Sequence, residues 1–219
     1  MNFGKVFEYN SLIVDGILVT LGFTLASLFF GFLISIPLAI IKESKIKVLR
    51  FFGYLYTDIF RGVPALVQLY LVYFALPQIL HVTLTVNQAA ILALSLNQAA
   101  YLSEAIRGGI ESIPAGQREA AKALGISYMR TMFGIILPQA FKNVLPSLAN
   151  ETINLLKGTS LVSIIGAIDI MRVGRQIMAD TYLTAEPLLV VAAIYYIMVK
   201  LLSVVTGRIE KRMRISDRR

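Results

Sequence analysis

The 219-residue chain has no cysteine, no tryptophan and a single histidine, His81, and only 16% of its residues are charged, against about 25% in an ordinary soluble domain. Without cysteine there are no disulfides, no thiolate metal sites and no cysteine nucleophile, and one imidazole cannot build a histidine metal cluster. The shortage of charge accompanies 57% hydrophobic residues and a mean hydropathy of +0.71. Such a chain cannot cover itself with groups that water solvates, so its solvent is a bilayer. A large soluble catalytic domain is excluded. Fully helical at about 1.5 Å per residue, the chain would extend roughly 330 Å, enough for about five crossings of 20 residues plus loops.

The apolar runs predict an all-α, polytopic membrane protein with one transmembrane domain over residues 1–219. Five spans are expected at residues 12–41, 61–80, 88–107, 136–157 and 187–207, with a loop at 108–134 and a short outer helix at 160–172. The first run holds one acid, Asp15, and no base, and it is far longer than the apolar core of a signal peptide. The stretch from Phe133 to Met171, roughly 56 Å as helix, exceeds one crossing, and Pro138, Pro146, Gly158 and Gly166 are places to bend or stop.

Lys and Arg number 21 against 13 Asp and Glu. Most bases fall in segments that five spans put on one side: Lys42, Lys45, Lys47, Arg50 and Arg61; Arg107, Arg118, Lys122 and Arg130; and the tail with Arg208, Lys211, Arg212, Arg214, Arg218 and Arg219. The other side receives Lys5, Arg172 and Arg175. The positive-inside rule then predicts the amino terminus outside and the carboxyl terminus in the cytoplasm. The basic tail is read as a topology and headgroup signal. A nucleic-acid role needs a folded soluble module to present the charge, and no nucleic-acid partner is expected.

The loop after the third span is too rich in helix formers to be a simple connection. Glu119, Ala120, Ala121, Lys122, Ala123 and Leu124 favour helix, Pro114 precedes them, and Gly125 suits the left-handed residue that ends one. The expected short helix exposes small residues, with Arg118 and Glu119 able to fix orientation through charged hydrogen bonds. It either docks in a groove of a cytoplasmic partner or lies on headgroups, and composition leaves both open.

The spacing here resembles a known family. Glu119-Ala120-Ala121, three residues, Gly125, nine residues, Ile135, one residue, Leu137-Pro138 is similar to the EAA motif of the membrane subunits of bacterial ATP-binding-cassette importers. The segment Asp58 to Leu69, containing Arg61-Gly62-Val63-Pro64, resembles a stretch of the polar amino acid permeases in that family, with Val63 and Ala65 departing from the usual Thr and Leu. Residues 100–110 and Lys157-Gly158-Thr159-Ser160-Leu161 look like two more such stretches. The resemblance implies a five-span type I importer permease in the bacterial inner membrane, paired with a second permease subunit as homo- or heterodimer. It further implies two cytoplasmic ATPase subunits carrying ATP and Mg²⁺, an extracytoplasmic amino-acid-binding protein, and a coupling helix at Arg118, Glu119, Ala120, Ala121, Leu124 and Gly125. The chain itself is not expected to be an enzyme or to hold a cofactor or metal. Its only Gly-Lys pair is Gly4-Lys5, so no phosphate-binding loop of the G-x-x-x-x-G-K-[ST] type is present.

Polar side chains inside spans are costly, so they mark a cavity or an interhelical contact. Asn150, Glu151, Asn154 and Lys157 are expected on one helical strip, with Lys157 for an α-carboxylate, the asparagines as hydrogen-bond partners and Glu151 for an ammonium or guanidinium. Mutual neutralisation of Glu151 and Lys157 is the alternative. The break at Gly158-Thr159-Ser160 offers Thr159 and backbone groups to the same cavity. In the third span Asn97, Tyr101 and Glu104 share a face with Gln98 beside them; Glu104 and Arg107 are read as an ion pair, and Asn97 and Gln98 as the far wall of the pocket. Asp169, Arg172 and Arg175 are read as solvated outer charges. The acids Glu151, Glu104 and Asp58 point to a cationic amino acid. The competing reading is a self-sufficient secondary amino acid carrier or channel, which the lack of a visible internal repeat disfavours.

Overall fold

Every regular element among the described residues is helical in this computed structural model, which describes the backbone of residues 1–216 and side chains through Lys211. The tail side chains of Arg212 and Arg214, together with Arg218 and Arg219, lie outside the described residues. In chain order the helices are α1 (Phe3–Phe7), α2 (Asn10–Lys42), α3 (Lys47–Gly62), α4 (Ala65–Tyr70), α5 (Leu76–Leu80), α6 (Val86–Glu111), α7 (Ala115–Ala123), α8 (Tyr128–Thr131), α9 (Leu137–Gly158), α10 (Ile170–Thr181) and α11 (Ala185–Ser216). Wide π turns join α4 to α5 and α8 to α9, and a 3₁₀ stretch, Thr159–Ile165, follows α9.

Three helices, Asn10–Lys42, Val86–Glu111 and Ala185–Lys211, are long and apolar enough to cross a bilayer. Two further candidates are bent pairs: Lys47–Gly62 with Ala65–Leu80 at 104°, and Tyr128–Ile165 with Ile170–Thr181 at 48°, making up to five. The second candidate therefore starts well before residue 61, and its break has a local cause. Pro64 disfavours helical backbone at Val63, which adopts φ −95° and ψ 134°. The short helix expected at 160–172 is instead a 3₁₀ stretch followed by a helix beginning at Ile170. Gly166 at φ +99° ends the first, and Asp169 starts the second by accepting hydrogen bonds from the Met171 and Arg172 amides.

The packing of α2 is that of a helix in lipid. Its buried stripe runs Gly16, Thr20, Thr24, Ser27, Gly31, Ser35, while Leu18, Leu25, Phe29, Leu33 and Ile40 are exposed. Lipid solvates the large apolar side chains, and small residues let the backbones approach. Helix α6 is the central element. Thr85 and Gln88 form a capping box at its start, and its alanines at 89, 90, 93, 99 and 100 and its serines at 95 and 103 are buried. A Cβ on Gly31 would lie 3.1 Å from Gln98 of α6, and one on Gly109 would lie 1.9 Å from Val144 of α9. These two glycines set how closely α6 lies against its neighbours.

The two ends of the chain fit the folded layout. The Asn2 amide donates to the Glu186 carboxylate at 2.8 Å, tying the amino terminus to the start of α11, and Glu210 near the other end of α11 lines a groove with Glu104 and Lys142.

Candidate functional site

The break between α3 and α4 is built by side chains that satisfy the last carbonyls of α3. Gln68, buried, donates from Nε2 to the Phe60 and Val63 carbonyls at 2.9 and 2.7 Å. Asn97 of α6 donates to the same Phe60 carbonyl and to Gln68 Oε1, each at 3.1 Å. The last carbonyls of a helix have no intrahelical partner, and here an amide pair takes that place. Asn97 therefore braces the break rather than walling a pocket. Gln98 points the other way, only 3% exposed against Gly31 of α2, and its Nε2 is buried without a hydrogen-bond partner. The two amides expected side by side on one wall serve two different contacts.

Arg61, at the end of α3, is held where this break delivers it. Its guanidinium lies 5.5 Å from the ring centroid of Tyr101 and 3.9 Å from the Glu104 carboxylate. Glu104 is the hub of a wider network. Its Oε1 accepts from Lys42 Nζ at 2.7 Å, its Oε2 accepts from Arg107 Nη2 at 2.9 Å, and Lys42 also donates to Ser103 Oγ at 2.8 Å. Arg107 further pairs with Glu111. The ion pair of Glu104 with Arg107 is thus present, and two cations from other helices join it. The Lys42 side chain is 0% exposed, so its charge is compensated inside the protein. A groove of about 680 Å³, lined in part by Asp58, Arg61, Tyr101 and Glu104, opens beside this cluster.

The strip on α9 is split. Glu151 is half-buried and lies within the field of Arg61, with Asn150 exposed on the same flank. Lys157 is not brought to Glu151. Six residues on, it is turned by about 120° around the helix and lines a separate, mostly apolar groove with Ser160, Leu188 and Tyr195. Thr159 is fully buried, and its hydroxyl donates to the Leu156 carbonyl at 2.7 Å. Asp169, read as a solvated charge, is 0% exposed: it caps α10 and accepts from Tyr195 OH at 3.3 Å. Arg172 is exposed, and Arg175 donates to the Ser163 carbonyl at 2.5 Å.

The second candidate surface is α7. Arg118, Glu119, Ala120 and Lys122 are exposed, Leu124 is 78% exposed, and Ala121 alone of these is buried. Gly125 at φ +70° ends the helix, with the Ile126 amide returning to the Ala121 carbonyl at 2.9 Å. Beyond it Tyr128, Met129 and Phe133 are also exposed, so apolar and charged groups share one protruding surface. Gln117 and Gln139 exchange amide hydrogen bonds at 2.9 and 2.7 Å, and Arg118 donates to the Ile110 carbonyl at 3.3 Å, fixing α7 to α9 and α6.

Sequence reasoning missed the part played by Lys42, which it counted among the bases of the segment after the first span, and the roles of Arg61 and Gln68. One signal for Lys42 was available: two turns beyond Ser35, it continues the small-residue stripe of α2 and so points inward.

Comparison with known proteins places these features in context. Residues 31–215 match the family described as binding-protein-dependent transport system inner membrane component. The chain is 45% identical over 201 residues, 92% of each chain, to a putative glutamine transport system permease protein, GlnP, of Rickettsia typhi. It is 40% identical over 217 residues, 99% of each, to the arginine transport system permease protein ArtQ of Bacillus subtilis. A crystal structure of an amino acid ABC transporter with histidines superposes with a TM-score of 0.93 at 37% identity, covering 97% of this chain and 99% of that one. The MetNI methionine ABC transporter, at 24% identity and a TM-score of 0.80 over 94% of this chain and 98% of that one, shares the fold.

Proposed function

The chain belongs to the family of binding-protein-dependent transport system inner membrane components, and from that premise we infer how it holds and moves its substrate. It is the membrane subunit of an ATP-driven amino acid importer, a multi-pass inner-membrane protein whose ATPase is a partner. In the proposed arrangement two permease subunits, this chain with a copy of itself or a close relative, sit on two cytoplasmic ATPase subunits that bind ATP and Mg²⁺. An extracytoplasmic binding protein delivers a polar amino acid. The amino terminus lies outside and the carboxyl terminus in the cytoplasm, a reading supported by the basic segments.

The substrate site is the polar cluster where α3, α6 and α9 meet. One observation carries this: Arg61 is a cation half-exposed at a groove, stacked on Tyr101 and 3.9 Å from the Glu104 carboxylate of α6, with Glu151 of α9 within reach of its charge. A guanidinium there forms a bidentate contact with an α-carboxylate, and Glu151, with Asn150 beside it, receives the ammonium. Arg61 thus stands where Lys157 was expected. The acids Asp58 and Glu151 at or near the groove favour a cationic side chain. Alternating access follows if α7, gripped by an ATPase at Glu119, Leu124 and the nearby apolar residues, carries α6 and α9 with it through the Gln117–Gln139 pair.

The test is ligand protection of the permease–ATPase complex. L-arginine or L-glutamine is expected to raise the melting temperature of wild type, and Glu151→Gln to weaken the apparent affinity about tenfold or more, the worth of a charged hydrogen bond. Unchanged affinity in both Glu151→Gln and Arg61→Gln places the site elsewhere.

A further inference from the structure

We propose that Glu104 is a positioning residue, fixed by the buried ammonium of Lys42, that aims the Arg61 guanidinium at the substrate carboxylate; this rests on the reading of Arg61 given above. The two carboxylate oxygens of Glu104 are divided between tasks. Oε1 is held by Lys42 at 2.7 Å, and Lys42 cannot turn away, since its side chain is fully buried and its stem passes close enough to Gly53 of α3 that an added Cβ there would lie 3.0 Å from Lys42 Cγ. Oε2 faces Arg107 at 2.9 Å and Arg61 at 3.9 Å. The nearer cations hold Glu104 by both of its oxygens, and at 3.9 Å Arg61 is drawn by the charge without a close hydrogen bond to it. Tyr101 supports the guanidinium from one face at 5.5 Å. Arg61 is therefore oriented and still has its donors available, the condition under which an arriving carboxylate binds without first breaking a tight internal pair. Lys42 secures the arrangement from α2, so three helices agree on the direction of one side chain.

The experiment compares two probes on the permease assembled with its ATPase subunits: each of L-arginine and L-glutamine against its carboxamide, in which the carboxylate has become neutral. The ratio of the two affinities isolates the carboxylate contact. In wild type the acid is expected to bind at least tenfold more tightly than the amide. Glu104→Gln is expected to reduce that ratio several-fold, whatever the amide's own affinity, and Glu104→Asp to restore part of the ratio. A merely structural loss weakens acid and amide together and leaves the ratio intact, which overturns the proposal. Arg61→Gln separates this from the underlying reading. If Arg61→Gln leaves the ratio unchanged, or neither amino acid binds wild type, the site itself is misplaced; if Arg61→Gln abolishes the ratio and Glu104→Gln does not alter it, only the positioning role fails. Should Glu104→Gln not assemble, the neutral pair Lys42→Met with Glu104→Gln replaces it and must show the same reduced ratio.

Discussion

Lys42 is the residue whose surroundings most constrain it. An ammonium withdrawn from water is tolerated only while Glu104 and Ser103 answer it, and removing one member of such a pair costs more than replacing both. Lys42→Met is expected to destabilise the permease by about 3 kcal/mol, with the double variant Lys42→Met, Glu104→Gln closer to wild type than the single one. Unfolding of the purified subunit in detergent checks this, and a single variant as stable as wild type would show that the pair contributes little. At this scale the sequence was legible where a residue acts through its helical register. The ion pair of Glu104 with Arg107, three apart on α6, is of that kind. The partners Lys42 and Arg61 come from other helices; the register of α2 turns Lys42 inward, but no spacing announces which side chain either of them meets.

At the scale of the element, two glycines have different tasks. Gly109 is small because α9 crosses there: a methyl group would overlap Val144 and approach the Ala140 carbonyl at 3.1 Å. Gly109→Ala should lower stability by about 1–3 kcal/mol, and Val144→Ala in that background should recover most of it. Equal melting of Gly109→Ala and wild type would mean that α6 and α9 do not pack so closely. Gly125 has open space around it but a φ of +70°. Gly125→Val is expected to cost about 1–2 kcal/mol locally at the end of α7. Its larger effect falls on substrate-stimulated ATPase activity of the full complex, which should drop while the melting temperature changes little. Helix α7 was readable because Pro114, a run of helix formers and Gly125 are all local signals. The break after α3 was not, because although Pro64 marks the place, the 104° turn is stabilised by Gln68 and by Asn97, 29 residues beyond Gln68 in the chain.

For the whole molecule, the absence of cysteine makes orientation directly measurable. Leu124→Cys, 78% exposed, is expected to react with a membrane-impermeant maleimide only in inside-out vesicles, and Tyr182→Cys, 93% exposed, only from the outside of intact cells. The reverse pattern would invert the orientation inferred from the basic segments and move α7 away from any cytoplasmic ATPase. A crosslink from Leu124→Cys to the ATPase during turnover would place the coupling surface where the exposed Leu124, Tyr128 and Met129 put it.

Composition and order alone determined the solvent, the helical class, the number of apolar runs and the protruding α7, because each depends on transfer from water to lipid or on bonds between residues a few positions apart. Only the tertiary structure decided which polar groups meet. It turned Asn97 and Gln98 to different neighbours, separated Lys157 from Glu151, buried Asp169 as a cap, and gathered Lys42, Arg61 and Arg107 around one carboxylate. In a protein whose outer surface faces lipid, polar groups satisfy one another inside, and their partners are set by how the helices cross.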